Sequence, residues 1–69
     1  MPANDPDDTV AQILRRKLST IKQAPLPPGS PSWDDILPLT WAEVEAAKRR
    51  GEPGFEVFRK LLTDKRFDK

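Results

Sequence analysis

Apolar residues in this chain fall in groups punctuated by proline and glycine. In the first group Val10, Ile13, Leu14, Leu18 and Ile21 recur at steps of three and four. That spacing places them on one face of a helix. The expected amphipathic helix covers residues 6–23, with Arg15, Arg16, Lys17 and Lys22 on its other faces. Two starts fit it. Asp5 can cap the helix with Pro6 at the first helical position. Alternatively Thr9 caps it and Gln12 reaches back in a capping box.

That helix should stop near Ala24, because Pro25 disfavours helical geometry in the residue before it. Residues 24–31, Ala-Pro-Leu-Pro-Pro-Gly-Ser-Pro, contain four prolines. Such a stretch favours polyproline II and acts as a semi-rigid spacer. The chain is therefore expected to divide into a flexible tail over 1–5, the helix over 6–23, a Pro-rich linker over 24–31 and a helical hairpin over 32–69.

Beyond the linker, Ser32 and Asp35 are spaced to cap a short helical turn that Pro38 ends. Thr40 and Glu43 form a capping box in Thr-Trp-Ala-Glu, with Leu39 and Val44 placed as a hydrophobic staple. A helix from Trp41 to Arg50 should follow, closed by Gly51 with Pro53 just beyond. The last helix is expected from Phe55 to Asp64 or slightly further. Phe55, Phe58 and Leu62 share one of its faces, and Val57 and Leu61 an adjoining one. This surface should pack on Trp41, Val44 and Ala47 across the turn Gly51-Glu52-Pro53-Gly54. There is no internal repeat and no strand-like alternation. The expected fold class is all-α: a small C-terminal helical hairpin plus an N-terminal amphipathic helix joined by a Pro-rich linker.

Composition narrows the chemistry. At 69 residues the chain is one small domain at most. A domain of this size buries only about 60% of its unfolded surface. The absence of Cys excludes disulfides, thiolate zinc sites and a Cys nucleophile. The absence of His removes the usual acid–base group of neutral pH and the commonest metal ligand. Asp34-Asp35 is the only paired carboxylate outside the N-terminal residues. It falls in the first turn of a helix, where acids stabilise by about 0.3–1 kcal/mol, rather than in the desolvated pocket that acid–base catalysis needs. Asp5, Asp7 and Asp8 lack the Gly and Glu positions of an EF-hand loop. The glycines do not form a phosphate loop. No enzyme activity, cofactor or metal is expected.

Charge redirects attention from the total to its distribution. Twelve basic and eleven acidic residues give a net charge of +1, too little for a general pull toward nucleic acid or a membrane surface. The signs nevertheless alternate in blocks. Ordinary helix electrostatics explains most of this, with acids near N-termini and bases near C-termini. The last two helices superficially share the layout of a helix-turn-helix. Its recognition positions would hold Phe55, Glu56, Val57 and Phe58, which read base edges poorly. Lys48, Arg49, Arg50, Arg59, Lys60, Lys65 and Arg66 are candidates for phosphate contacts. The alternative function is thus a weak, largely sequence-independent nucleic-acid binder.

The leading expectation is a small non-enzymatic protein–protein interaction module: a regulator, an adaptor or an antitoxin-like inhibitor. There are more apolar faces than one tiny core obviously consumes. Val10, Ile13, Leu14, Leu18, Ile21, Phe55, Phe58 and Leu62 are the candidate partner-binding residues. The first helix either completes the core or lies in a partner's groove. The expected partner is another protein or a second copy of this chain. Lys22 followed by Pro25-Leu26-Pro27-Pro28 also fits a base next to a P-x-x-P stretch, a match common in spacers. Trp33 and Trp41 are expected in the core, which needs their area. No apolar run approaches the roughly 20 residues that span a bilayer. Residues 1–8 lack the apolar segment of a signal peptide, so the cytoplasm is the expected compartment.

Overall fold

The computed structural model describes residues 4–69. The protein is all-α, with no strand among the described residues. Helix α1 spans Val10–Arg15, α2 Trp33–Ile36, α3 Trp41–Arg49 and α4 Phe55–Thr63. Single 3-10 turns occupy Ser19–Gln23 and Lys65–Phe67. Of the tail expected over 1–5, residues 1–3 lie outside the described residues.

Three helices begin with the same local device. The Thr9 hydroxyl accepts from the Gln12 N–H at 3.2 Å, and the Gln12 side chain accepts from the Thr9 N–H at 2.9 Å. Ser32 and Asp35 repeat the exchange at the start of α2, at 3.4 and 3.3 Å. Thr40 and Glu43 do so for α3, at 3.3 and 3.2 Å. Each box satisfies two of the N–H groups that a helix start leaves without partners. Thr9, and not Asp5, therefore starts the first helix. Helix α3 ends as its glycine requires. Gly51 takes φ 78°, its N–H donates to the Lys48 carbonyl at 3.0 Å, and the Glu52 N–H donates to Ala47 at 3.2 Å. These are the two bonds of a Schellman motif.

The starts of α1 and α3 are tied to each other. The N–H groups of Val10 and Ala11 donate to the carbonyls of Leu39 and Leu37, at 2.8 and 3.2 Å. Those of Trp41 and Ala42 donate back to Asp8 and Pro6, at 2.6 and 3.1 Å. Thr9 and Thr40 face each other in an antiparallel bridge. Each helix start is thus completed by the chain leading into the other.

One core joins both ends of the sequence. Val10, Ile13 and Ile21 are buried with Ile36, Trp41, Val44, Ala47, Phe55, Phe58 and Leu62. The Phe58 ring meets Trp33 edge-on at 4.9 Å and Phe55 at 6.1 Å between centroids, geometries that aromatic quadrupoles favour. Residues 24–31 do not hold the N-terminal residues apart from this core. Leu26 packs against it. The Pro27–Ser30 segment closes a turn with a 3.2 Å Ser30 N–H to Pro27 carbonyl bond. Gly29 takes φ 84° there, the left-handed value that a type II turn demands after Pro28.

The helix expected over 6–23 is not continuous. It stops at Arg15, and Leu18 is extended at φ −69°, ψ 144° before the 3-10 turn. The cause lies at Lys17. This residue stands four after Ile13 and four before Ile21, so an unbroken helix would set an ammonium in the middle of its apolar stripe. The chain instead opens at Lys17 into an antiparallel bridge with Asp68. The Leu18 N–H donates to the Phe67 carbonyl, and the Lys69 N–H donates to Arg16 at 3.2 Å. Extended backbone brings the lysine to a carboxylate from the other end of the chain, which a helix does not.

Candidate functional site

The structure places six of the eight candidate partner-binding residues in its own core: Val10, Ile13, Ile21, Phe55, Phe58 and Leu62 are buried. They hold the fold together, so of the eight only Leu14 and Leu18 keep appreciable exposed surface, with Ile21 reaching the groove beside them from beneath. Leu14 is partly buried against the core. Leu18, 40% exposed, is the one large hydrophobic side chain that is exposed among the described residues.

The break after α1 produces this exposure. Helix α1 supplies Ala11 and Leu14. The extended residues and the 3-10 turn supply Leu18 and Ile21, and Leu37 enters from the end of α2. Together they floor a groove of about 500 Å³, within the roughly 300–1,000 Å³ typical of binding clefts. Arg15, Lys22 and Lys69 complete its rim. No acidic residue lines it. None of those three bases makes an ion pair among the described residues.

Lys17 also borders the groove, yet its charge is already engaged. It is 7% exposed. Its ammonium donates to the Asp68 carboxylate and, at 3.3 Å, to the Asp64 carbonyl. Placing Lys17 among the polar faces of a regular helix misses this role. Its position four residues from both Ile13 and Ile21 was the available signal. A lysine centred in an apolar stripe must find a carboxylate elsewhere.

The bases proposed for phosphate contact are largely engaged in short-range pairs. Arg50 donates to Glu52 at 3.0 Å and Arg59 to Glu45 at 2.8 Å. Lys60 approaches Glu56 at 3.9 Å, and Arg66 pairs with Asp64 at 2.7 Å. Lys48, Arg49 and Lys65 are exposed and make no ion pair among the described residues. The Arg66 side chain, hydrogen-bonded to Asp64, holds that carboxyl below its ordinary range, and the carboxylate raises the arginine in turn. A hydrogen bond from Arg16 likewise holds the Asp8 carboxyl below its ordinary range.

A second, smaller cavity of about 290 Å³ lies between Leu39, Ala47 and Phe55, with Glu43, Arg50 and Glu52 of both signs around it. Among the described residues no three His, Cys, Asp or Glu side chains converge to hold a metal ion. No helix of the described residues is long and apolar enough to cross a membrane. No protein-family model, curated protein or solved structure matches this chain.

Proposed function

We propose that this protein is a small, non-enzymatic, cytoplasmic interaction module that docks another protein on the groove around Leu14 and Leu18. It would act as a regulator, adaptor or inhibitor. One observation carries the reading. Among the described residues every other large apolar side chain is buried or partly buried, while Leu18 is exposed beside a recess of about 500 Å³. A recess with an apolar floor and a polar rim is a common form of binding site. The seven bases of the nucleic-acid alternative give it less support, because Arg50, Arg59, Lys60 and Arg66 each stand beside a carboxylate that partly offsets their charge.

A photo-crosslinking residue placed at position 18 of the full chain tests the reading, with position 56 on exposed α4 surface as the control. A discrete cross-linked protein, formed at 18 and not at 56, is the expected result. Equal labelling from both positions, with a monomeric native mass, would falsify it.

A further inference from the structure

Given the interaction reading, on which this inference rests, the groove's chemistry defines its occupant. We propose that it receives an acidic peptide segment of a partner protein: one or two large aliphatic or aromatic side chains seated on Leu14, Leu18 and Leu37, with flanking carboxylates meeting Arg15, Lys22 and Lys69.

Charge complementarity selects the sign. The rim holds Arg15, Lys22 and Lys69, whose side chains make no ion pair among the described residues, and no Asp or Glu side chain lines the recess to offset them. A basic segment would bring like charges together, whereas an acidic one is steered inward. Lys17 is not part of this recognition, because Asp68 already accepts from it. Its contribution is positional. The Lys17–Asp68 pair and the 3.2 Å bond from the Lys69 N–H to the Arg16 carbonyl pin the chain end beside the break. Lys69 is thereby held at the rim.

The floor selects the class of molecule. Ala11, Leu14, Leu18 and Leu37 give the recess an apolar base. A nucleic-acid backbone or a phosphate has nothing apolar to fill it. A lipid surface favours a convex amphipathic face with aromatic anchors, and no aromatic residue lines this concave one. Peptide side chains flanked by Asp or Glu satisfy both floor and rim, in the manner of a segment read through a few apolar anchors.

A display library of random linear peptides, selected on the intact chain, tests this. Enriched sequences should combine an aliphatic or aromatic anchor with flanking Asp or Glu. A synthetic peptide of that sequence should bind more weakly as salt rises. Its affinity should fall by about tenfold or more in Leu18→Ser and again in the double variant Arg15→Glu with Lys22→Glu. All three positions are exposed or partly so, and an unchanged thermal melt certifies each fold. Enrichment of apolar peptides without acids, still dependent on Leu18, overturns the inference and leaves the interaction reading standing. No enrichment above bare support overturns both. A single-stranded DNA oligonucleotide or a phosphatidylserine vesicle bound through Lys22 more tightly than the best peptide also overturns it, in favour of a polyanion site.

Discussion

Lys17, only 7% exposed, closes its ammonium on the carboxylate of Asp68, fifty-one positions further along the chain. The two partners are unequal, since the Asp68 side chain is 50% exposed. Removing the acid should therefore do more harm than removing the base. Asp68→Asn leaves the buried ammonium without its paired carboxylate, with the Asp64 carbonyl and the amide oxygen of the new side chain as neutral acceptors. A fully buried pair broken in this way loses about 3–5 kcal/mol. The half-exposed acid lowers the expectation to about 1–3 kcal/mol. Lys17→Met puts an apolar side chain of similar length into the stripe between Ile13 and Ile21 and should cost less than about 1 kcal/mol. Denaturant titrations followed by tryptophan fluorescence would measure both. A larger loss for Lys17→Met than for Asp68→Asn would contradict this account of the break.

The same pair marks how far the fold is legible from residues alone. Thr9 with Gln12, Ser32 with Asp35, Thr40 with Glu43 and the Gly51 cap are exchanges within a few residues, and their spacing announces them. The opening at residues 16–18 depends on Asp68 and Phe67, and no periodicity near Lys17 names those partners. The candidate site was visible in the same partial way. Leu14 and Leu18 stand out as members of an apolar face, but their separation from Val10, Ile13 and Ile21 follows from the break. Leu37 and Lys69 join them only through tertiary contact.

Because α1 and the 3-10 turn share the core with α3 and α4, one cooperative transition should report on the whole chain. Ile13 is fully buried, and Ile→Ala at such a site costs about 2–5 kcal/mol. A domain of this size has a total stability of about 3–10 kcal/mol, at 0.05–0.15 kcal/mol per residue. Ile13→Ala should therefore consume much of the stability and lower the fluorescence and circular-dichroism midpoints together. Leu18→Ser, on the surface, should move them by less than about 0.5 kcal/mol. Retained melting of α3 and α4 in Ile13→Ala would show that the N-terminal residues are not part of the same cooperative unit.

Gly51 and Gly54 have nearly the same backbone conformation, at φ 78° and 88°, but different surroundings. A Cβ at Gly51 meets nothing within 4 Å, while one at Gly54 overlaps the Ser30 side chain. Gly51→Ala should cost only the left-handed penalty, about 1–2 kcal/mol. Gly54→Ala should cost more, because the Pro27–Ser30 turn must also move. Adding Ser30→Gly should return part of that excess, so that the double variant is more stable than additivity predicts. Additive losses measured by chemical denaturation would rule out contact between the turn and the start of α4.

The Arg16–Asp8 and Arg66–Asp64 pairs should contribute to the acid limit of stability. Hydrogen bonds from Arg16 and Arg66 hold the carboxyls of Asp8 and Asp64 below their ordinary value of 3.8. A carboxyl lowered in the folded state binds its proton more weakly there than in the unfolded chain. Its contribution is therefore complete above 3.8 and disappears as pH falls from that value through the lower, folded one. The chain has no histidine, so the urea midpoint should be nearly level from neutrality down to about pH 5 and then decline, following ordinary carboxylate titration. Arg16→Gln and Arg66→Gln each remove one cause of the lowering, and their combination should flatten the acid limb relative to the parent. Both arginines are more than half exposed, so neutral-pH stability should change little. An acid limb of unchanged slope in the double variant would show that carboxyls other than Asp8 and Asp64 govern acid unfolding.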